Sequence, residues 1–343
     1  MTIKGFKMQY RRLGNSGLLV SELALGTMVF GEASDRGTPE NEAVKLIDAY
    51  IEAGGNHFDL ADVYAGGRAE EIVGKALGAR RADAVIATKA RWPMGSDPNK
   101  VGLSRRHICE ALEASLRRLR TDYVDVYYMH GWDALTPLEE SLRAFGDLVA
   151  AGKVRYIGVS NFMAWQVMKS LGLSDRNGWV RFIAAQYQYS LVERGIEAEL
   201  EALCASEGVG LVPWGPLGGG FLTGKYQKGS RPDTTTGRIG MTPDEWEESW
   251  AHRATDANWR TLDAVKAVAA AHPGATPAQV SLGWLLARPT VSSVVIGART
   301  VEQLRANLAA TELEFAPEEI AALTAASAVR LPYPARAVNL GTR

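Results

Sequence analysis

The stretch His57–Gly67, HFDLADVYAGG, leaves an apolar run and at once delivers Asp59, Asp62 and Tyr64. A phenol ordinarily titrates near pH ~10, so a tyrosine needs help to serve as an acid or base at neutral pH. Two groups able to help end later apolar runs: Lys89 in AVIATKA and His130 in YVDVYYMH. An ammonium beside Tyr64 favours the phenolate and brings its pKa toward neutrality. Asp59 can hold that ammonium in an ion pair, and His130 can hydrogen-bond a substrate oxygen or Tyr64 itself. Such a set makes a general acid for carbonyl reduction, or a base for the reverse alcohol oxidation. Its donors would also stabilise the oxygen that gains charge during hydride attack. Asp62 reads instead as a local turn or helix-capping group. A strand-end lysine can also form a Schiff base, so Lys89 leaves an aldolase as an alternative.

The elements that must bring these residues together recur along the chain. MQYRRLGNSGLLVSEL reads as a hairpin around Gly14–Gly17. Thereafter short apolar runs alternate with amphipathic helical patterns near Asn41–Ala53, Ala69–Leu77, Ser104–Leu119, Leu138–Ala151, Ala164–Leu171, Ile196–Glu207, Asn258–Ala271 and Val301–Ala310. The runs end near Gly26, Asp59, Lys89, His130, Ser160, Gln186, Trp214 and Gly297. Eight such units predict a parallel (β/α)8 TIM barrel, in one domain spanning 1–343, rather than an open sheet. The hairpin is expected to close the barrel bottom. A long loop after the seventh strand, 225–255, is a candidate lid, and an additional helix is expected near Thr276–Ala287. A short helix near Pro317–Ser327 and an irregular tail, 330–343, end the reading. In such barrels the strand C-termini form one mouth. Asp59, Lys89, His130, Ser160-Asn161, Gln186 and Trp214 should therefore converge there. Trp92, Met94, Trp132 and Tyr187, with the 225–255 loop, predict a roomy, partly aromatic substrate pocket, open to aryl aldehydes, sugars or polycyclic ketones.

Composition narrows the function classes. Net charge is −1, with no basic stripe to suggest nucleic acid. No run approaches the ~18 apolar residues of a membrane span, and no signal-like segment begins the chain. The two cysteines, Cys109 and Cys204, fall in helical patterns, which predicts buried thiols in a reducing, cytoplasmic setting. The five histidines show no metal-ligand spacing. No strand is followed by G-x-G-x-x-G, so a Rossmann cofactor site is not expected. GARTVEQLRAN instead places Gly297, Arg299 and a helix N-terminus together. Helix N-termini attract phosphate and arginine grips it with a planar fork, which favours NADPH over NADH.

The segments HFDLADVYAGGRAEEIVGKAL, VIATKARW, LRRLRTDYVDVYYMHGWD, GKVRYIGVSNF, AAQYQYSL, VPWGPLGGGFLTGKY and VIGARTVEQLRANLAA resemble the aldo-keto reductase family. The resemblance runs from about Tyr10 to Ser327 and is nearest to the branch of bacterial aryl-alcohol dehydrogenase-like reductases and potassium-channel beta subunits. It implies a catalytic tetrad of Asp59, Tyr64, Lys89 and His130, with Tyr64 the proton donor. It implies nicotinamide carboxamide contacts at Ser160, Asn161 and Gln186, ring stacking on Trp214, and further cofactor contacts at Gly26, Thr27 and Met28. The loop of Gly215, Pro216, Leu217, Gly218 and Gly220 would wrap the pyrophosphate, and Gly297, Arg299, Gln303 and Asn307 would hold the adenosine half. Leu60, Ala65 and Gly215 depart from the family's common residues, a small hydroxyl residue, glycine and serine respectively. The branch also leaves room for a cofactor-sensing binding subunit without fast turnover.

Overall fold

The computed structural model describes residues 8–34, 37–233 and 237–338; the remainder of the tail and of the 1–343 span lies outside them. Ten strands occur there: β1 Tyr10–Arg12, β2 Leu19–Ser21, β3 Leu23–Gly26, β4 His57–Asp59, β5 Val85–Ala90, β6 Val124–Met129, β7 Val154–Ser160, β8 Phe182–Gln186, β9 Gly210–Leu211 and β10 Val294–Ile296. β1 and β2 form the expected antiparallel hairpin. The other eight form one parallel sheet in the order β10-β3-β4-β5-β6-β7-β8-β9. Its two ends meet. Leu211 donates its N–H to Thr290 O (2.9 Å), Ser292 to Leu211 O (2.8 Å) and Val295 to Pro213 O (2.9 Å). The sheet thus closes into a (β/α)8 barrel, which leaves no strand edge unpaired for long.

Helices follow the strands at Glu40–Glu52, Arg68–Leu77, Arg105–Leu119, Leu138–Ala150, Ala164–Asn177, Leu200–Glu207, Asp256–Ala271 and Val301–Leu308, with Pro277–Leu286 and Pro317–Ala326 added. Arg105–Leu119 shows how local sequence sets one. The Ser104 hydroxyl accepts the His107 N–H at its start, the apolar face buries Ile108, Ala111, Leu112, Leu116 and Leu119, and the chain stops at Arg120 in a left-handed turn, φ 54°. Two helices differ from the sequence reading. Ala164–Asn177 runs through Gly172, whose α-carbon faces open space, to the left-handed cap at Gly178. The stretch expected as Ile196–Glu207 breaks into a 3-10 turn, Gly195–Ala198, and a helix from Leu200. Within the tail expected to be irregular, residues 335–338 form a short helix.

Strand alternation decides which side chains face the barrel interior. Ala24, Val85, Ala87, Val126, Tyr128, Ala184, Val212 and Val295 pack together inside it. Their neighbours Leu25, Phe58, Ile86, Tyr127, Val159, Ala185 and Ile296 pack against the helices. Counting two onward from the last interior residue of each strand, Ala24, Ala87, Tyr128, Ala184, Val212 and Val295, reaches Gly26, Lys89, His130, Gln186, Trp214 and Gly297. Asp59 and Ser160 have the same parity, each flanking an outward Phe58 or Val159. All eight strand ends therefore point into one mouth. The Tyr128 ring fills the interior so closely that a Cβ at Gly158 would lie 2.4 Å from it.

The hairpin plugs the other end. Leu13 and Val20 are fully buried in the interior cluster. Gly14 sits with φ 58°, where a Cβ would lie 2.3 Å from Ile183 O, so only glycine fits there. Asn15 N–H reaches Gly208 O at 2.6 Å.

Candidate active site

Lys89 is fully buried, and its ammonium spends three donors on three acceptors: Asp59 Oδ1 at 2.7 Å, Leu60 O at 2.6 Å and Tyr64 Oη at 3.2 Å. Gln186 Nε2 donates to the same Asp59 oxygen at 2.7 Å. Burial works against the charge on Lys89, but Asp59 and Tyr64 outweigh it and raise the pKa above that of a free lysine. Tyr64 departs from the expected direction. Burial raises its pKa above 10, and the opposing pull of Lys89 does not overcome it. The phenol is thus held as a proton-bearing acid rather than poised as phenolate.

Directly after Tyr64 the chain turns into the helix Arg68–Leu77 through three successive left-handed residues: Ala65, Gly66 and Gly67, with φ 47°, 64° and 96°. Ala65 occupies a conformation that costs an L-residue ~1–2 kcal/mol. Gly67 abuts Arg118, where a Cβ would lie 2.8 Å from Cδ. Arg118 is ion-paired to the buried Glu70 at 2.7 Å, and Thr88 of β5 donates to Glu70 at 2.6 Å. The tyrosine loop is thereby braced on the strand that carries Lys89.

His130 hangs from β5 through its N–H to Ala90 O, 3.1 Å. Its ring meets Tyr64 edge-on, with centroids 6.1 Å apart. Burial, then Lys89 and Arg91, push its pKa well below the usual histidine range, so the ring is neutral, and Nδ1 is buried without a partner among the described residues. Asn161, at φ 56°, donates to His130 O at 3.1 Å, and Ser160 Oγ donates to Gln186 O at 2.8 Å. Asp59, Tyr64, Lys89, His130, Ser160, Asn161 and Gln186 are thus brought together as the sequence leads one to expect.

A glycine cradle lies beside them. Trp214 is half-buried against the interior cluster. After it, Gly215, Gly218 and Gly220 all have positive φ, with Pro216 and Leu217 between them. A Cβ at Gly218 would sit 2.5 Å from Val192 Cγ2. Gly26 ends β3, with Met28 half-buried just beyond. Thr27 is buried and spends its hydroxyl on Asp59 O, 2.9 Å, so it braces β4. Gly297 is exposed with nothing within 4 Å of a Cβ. Arg299 N–H is held by Gln303 Oε1 at 2.9 Å, and Asn307 Nδ2 by Gly297 O at 3.2 Å. Thr300 caps the helix Val301–Leu308. The charges of two cations reach this cradle. Burial, then the charge of Arg299, push the Lys225 ammonium below its ordinary pKa, and Lys225 Nζ lies 3.4 Å from a Cβ placed on Gly220. Two cations converging on a run of left-handed glycines suit a bridging anion such as a pyrophosphate.

The whole barrel, from β3 to the helix Pro317–Ala326, falls within the match to the model of the Aldo/keto reductase family, residues 22–328. The chain belongs to the aldo/keto reductase family. It is 41% identical over 312 residues to a probable voltage-gated potassium channel subunit beta of Oryza sativa subsp. japonica, across 89% of this chain and 92% of that one. It is 35% identical over 360 residues to the versiconal hemiacetal acetate reductase of Aspergillus parasiticus, across 98% and 100%. With the uncharacterized oxidoreductase YrpG of Bacillus subtilis it shares 37% over 323 residues, across 91% and 93%. Aldo/keto reductases are oxidoreductases that work on carbonyl substrates with a nicotinamide cofactor.

In this aldo/keto reductase the expected pocket residues divide. Trp92 is 39% exposed and meets His130 edge-on, centroids 6.1 Å apart. Trp132 packs edge-on against Phe162 and Trp165. Met94 is half-buried on the loop after β5, held by Lys100 O. Tyr187 stands apart. It follows the inward Gln186, so alternation turns it outward, where it is buried in the helix-side core with its hydroxyl on Phe162 O at 2.9 Å. Asp62 caps nothing. Both of its carboxylate oxygens are buried without partners among the described residues. Burial, and then Glu70, raise its pKa to about 7.

The 225–255 segment contributes residues that the sequence reading missed. Arg238 pairs with the buried Glu248 at 2.5 Å, and its charge reaches Tyr64. Glu248 Oε1 has no partner among the described residues and lies 2.8 Å from a Cβ placed on Gly215. The described parts of this segment therefore lie along the cradle. Among the described residues, no group of three or more His, Cys, Asp or Glu could hold a metal, and no helix is long and apolar enough to cross a membrane. Both cysteines are free; Cys204 is buried and Cys109 half-buried.

Proposed function

We propose that the chain is an NADP(H)-dependent carbonyl reductase that reduces an aldehyde or ketone and can run the reverse alcohol oxidation, with Tyr64 as the general acid. The observation that carries this reading is the contact of one buried ammonium, Lys89, with both Asp59 and Tyr64. Asp59 keeps Lys89 charged. Lys89 in turn stabilises the phenolate that Tyr64 leaves after giving its proton to the substrate oxygen. At 3.2 Å and an effective dielectric constant of ~20, that attraction is about 5 kcal/mol. His130, neutral, offers a ring N–H to the same oxygen rather than a competing proton source. The nicotinamide, when bound, supplies the hydride. Ser160, Asn161 and Gln186 would hold its carboxamide, Trp214 its ring face, the Gly215–Gly220 loop with Lys225 its pyrophosphate, and Arg299 its 2′-phosphate.

A Schiff-base role for Lys89 fits the site poorly, because its three donors are spent and its charged form is favoured. Substrate-dependent NADPH oxidation across a panel of aldehydes and ketones tests the reductase reading. Failure of every carbonyl while NADPH still binds would point instead to a cofactor-sensing role. The cofactor preference is tested with Arg299→Ala, which should weaken NADPH tenfold to a hundredfold, the scale of one charged hydrogen bond, and NADH far less. Equal losses on both would place Arg299 away from the 2′-phosphate.

A further inference from the structure

Arg91 immediately follows β5, two residues past Lys89 and one before Trp92. Its guanidinium carbon lies 4.2 Å above the Trp92 ring. Its Nε and Nη2 both donate to Trp132 O, at 3.3 and 3.2 Å. One side chain thus fixes two tryptophans from different loops of the mouth. Trp92 in turn lies edge-on to His130, so a single aromatic ring separates Arg91 from a residue that would meet the substrate oxygen. The charge of Arg91 also stands apart from those around it. Lys89 is paired with Asp59 and Arg238 with Glu248, whereas no carboxylate among the described residues forms an ion pair with Arg91. Asp133, the acid that feels its charge, is engaged with Leu103 N–H, Leu135 N–H and the Thr136 hydroxyl. Nη1 makes no hydrogen bond among the described residues.

We infer that Arg91 is a specificity-determining residue that selects aromatic carbonyl substrates bearing a carboxylate. The inference rests on the reductase reading above. A planar guanidinium pairs with a carboxylate in a directional fork, and the two tryptophans give the aromatic ring between carboxylate and carbonyl its walls. A formyl group near His130 and a carboxylate at Arg91 are then the two ends of one disubstituted ring.

The test compares 4-formylbenzoate with its uncharged methyl ester as substrates of the wild type, Arg91→Met and Arg91→Lys, with NADPH. The wild type should favour the carboxylate in kcat/KM by at least tenfold. Arg91→Met should cost the carboxylate a further tenfold to hundredfold beyond whatever it costs the ester, and Arg91→Lys should restore part of the preference. Equal kcat/KM for the two aldehydes in the wild type would overturn the inference. So would equal losses on both in Arg91→Met, which would make Arg91 a purely structural clamp. Ester turnover reports on the reductase reading by itself. If neither aldehyde is reduced, that reading fails, and quenching of tryptophan fluorescence decides the inference: tighter binding of the carboxylate than of the ester supports it, and equal binding overturns it.

Discussion

At the floor of the barrel, Ser21, Tyr50, His57 and Ser293 form a nearly closed polar set. Tyr50 Oη donates toward Leu23 O and lies 2.7 Å from Ser21 Oγ, and Ser293 Oγ donates to Ser21 O at 2.7 Å and contacts His57 Nδ1 at 3.0 Å. Within this set, His57 Nε2 alone has no partner among the described residues. Around the mouth, by contrast, buried atoms of Asp62, His130 and Glu248 have no hydrogen-bond partner among the described residues. Unspent hydrogen-bonding capacity in a buried place costs about 1–3 kcal/mol per group, and on His130 and Glu248 it lies beside the mouth, where a substrate or cofactor can complete it. Capacity spent within the protein, as at the floor, contributes to stability instead.

The sharpest break of this contrast is at Tyr64. Tyr64→Phe removes a hydroxyl whose protein contact is a single long bond from Lys89, so the fold should lose at most about 1 kcal/mol. Reduction should fall by roughly 10² to 10⁴, the scale of general acid catalysis, with NADPH affinity nearly intact. The measurement pairs single-turnover NADPH oxidation with a cofactor titration. Retention of most of kcat would sink the assignment, and loss of cofactor binding would make the tyrosine structural.

Asp62 gives the next largest effect, in stability rather than rate. Its carboxyl is raised from 3.8 to about 7 by burial, with Glu70 adding to it. Between those values the native state keeps a proton that the unfolded chain releases, so this residue's contribution to stability falls as pH rises through the window. Asparagine mimics the protonated acid and escapes that loss. At ~1.4 kcal/mol per unit, Asp62→Asn should be more stable than the parent by up to about 4 kcal/mol at pH 8, and by distinctly less at pH 5. Urea unfolding at the two pH values checks it. A gap of equal size at both would mean that the carboxylate has found a partner.

How far such sites can be read from sequence follows from the same geometry. The strand ends are legible because each finishes an apolar run with a polar, aromatic or glycine residue, and barrel topology supplies the common mouth. Tyr187 was legible too: Gln186 faces inward, so alternation alone turns its neighbour out, a signal the pocket assignment passed over. Burial reversed the expected direction for Tyr64 because a sequence shows the helpful lysine and not the dry surroundings. Arg91, Lys225 and Glu248 lie on irregular segments and Arg238 on the five-residue helix Gly237–Met241, whose return to the mouth no periodicity announces. The length of Ala164–Asn177 was hidden because Gly172 faces open space, where a helix tolerates glycine at about 1 kcal/mol.

The floor is best tested at Ser293, where the expected effect is the smallest. Its hydroxyl has one hydrogen, spent on Ser21 O. The 3.0 Å contact with His57 must therefore use a hydrogen on Nδ1, which fixes the neutral tautomer and leaves Nε2 bare. Burial holds that imidazole neutral, with its pKa lowered to about 4. Ser293→Ala strands the Ser21 carbonyl and the His57 Nδ1–H together, in a place that no water reaches easily. Stability should drop by about 1–3 kcal/mol, read as a lower urea midpoint at an unchanged slope. Because Ser293 lies at the far end of the barrel from Tyr64 and Lys89, kcat/KM per folded molecule should not move. A loss of activity without a loss of stability would show that the floor reaches the chemistry, and the division between the two ends would have to be abandoned.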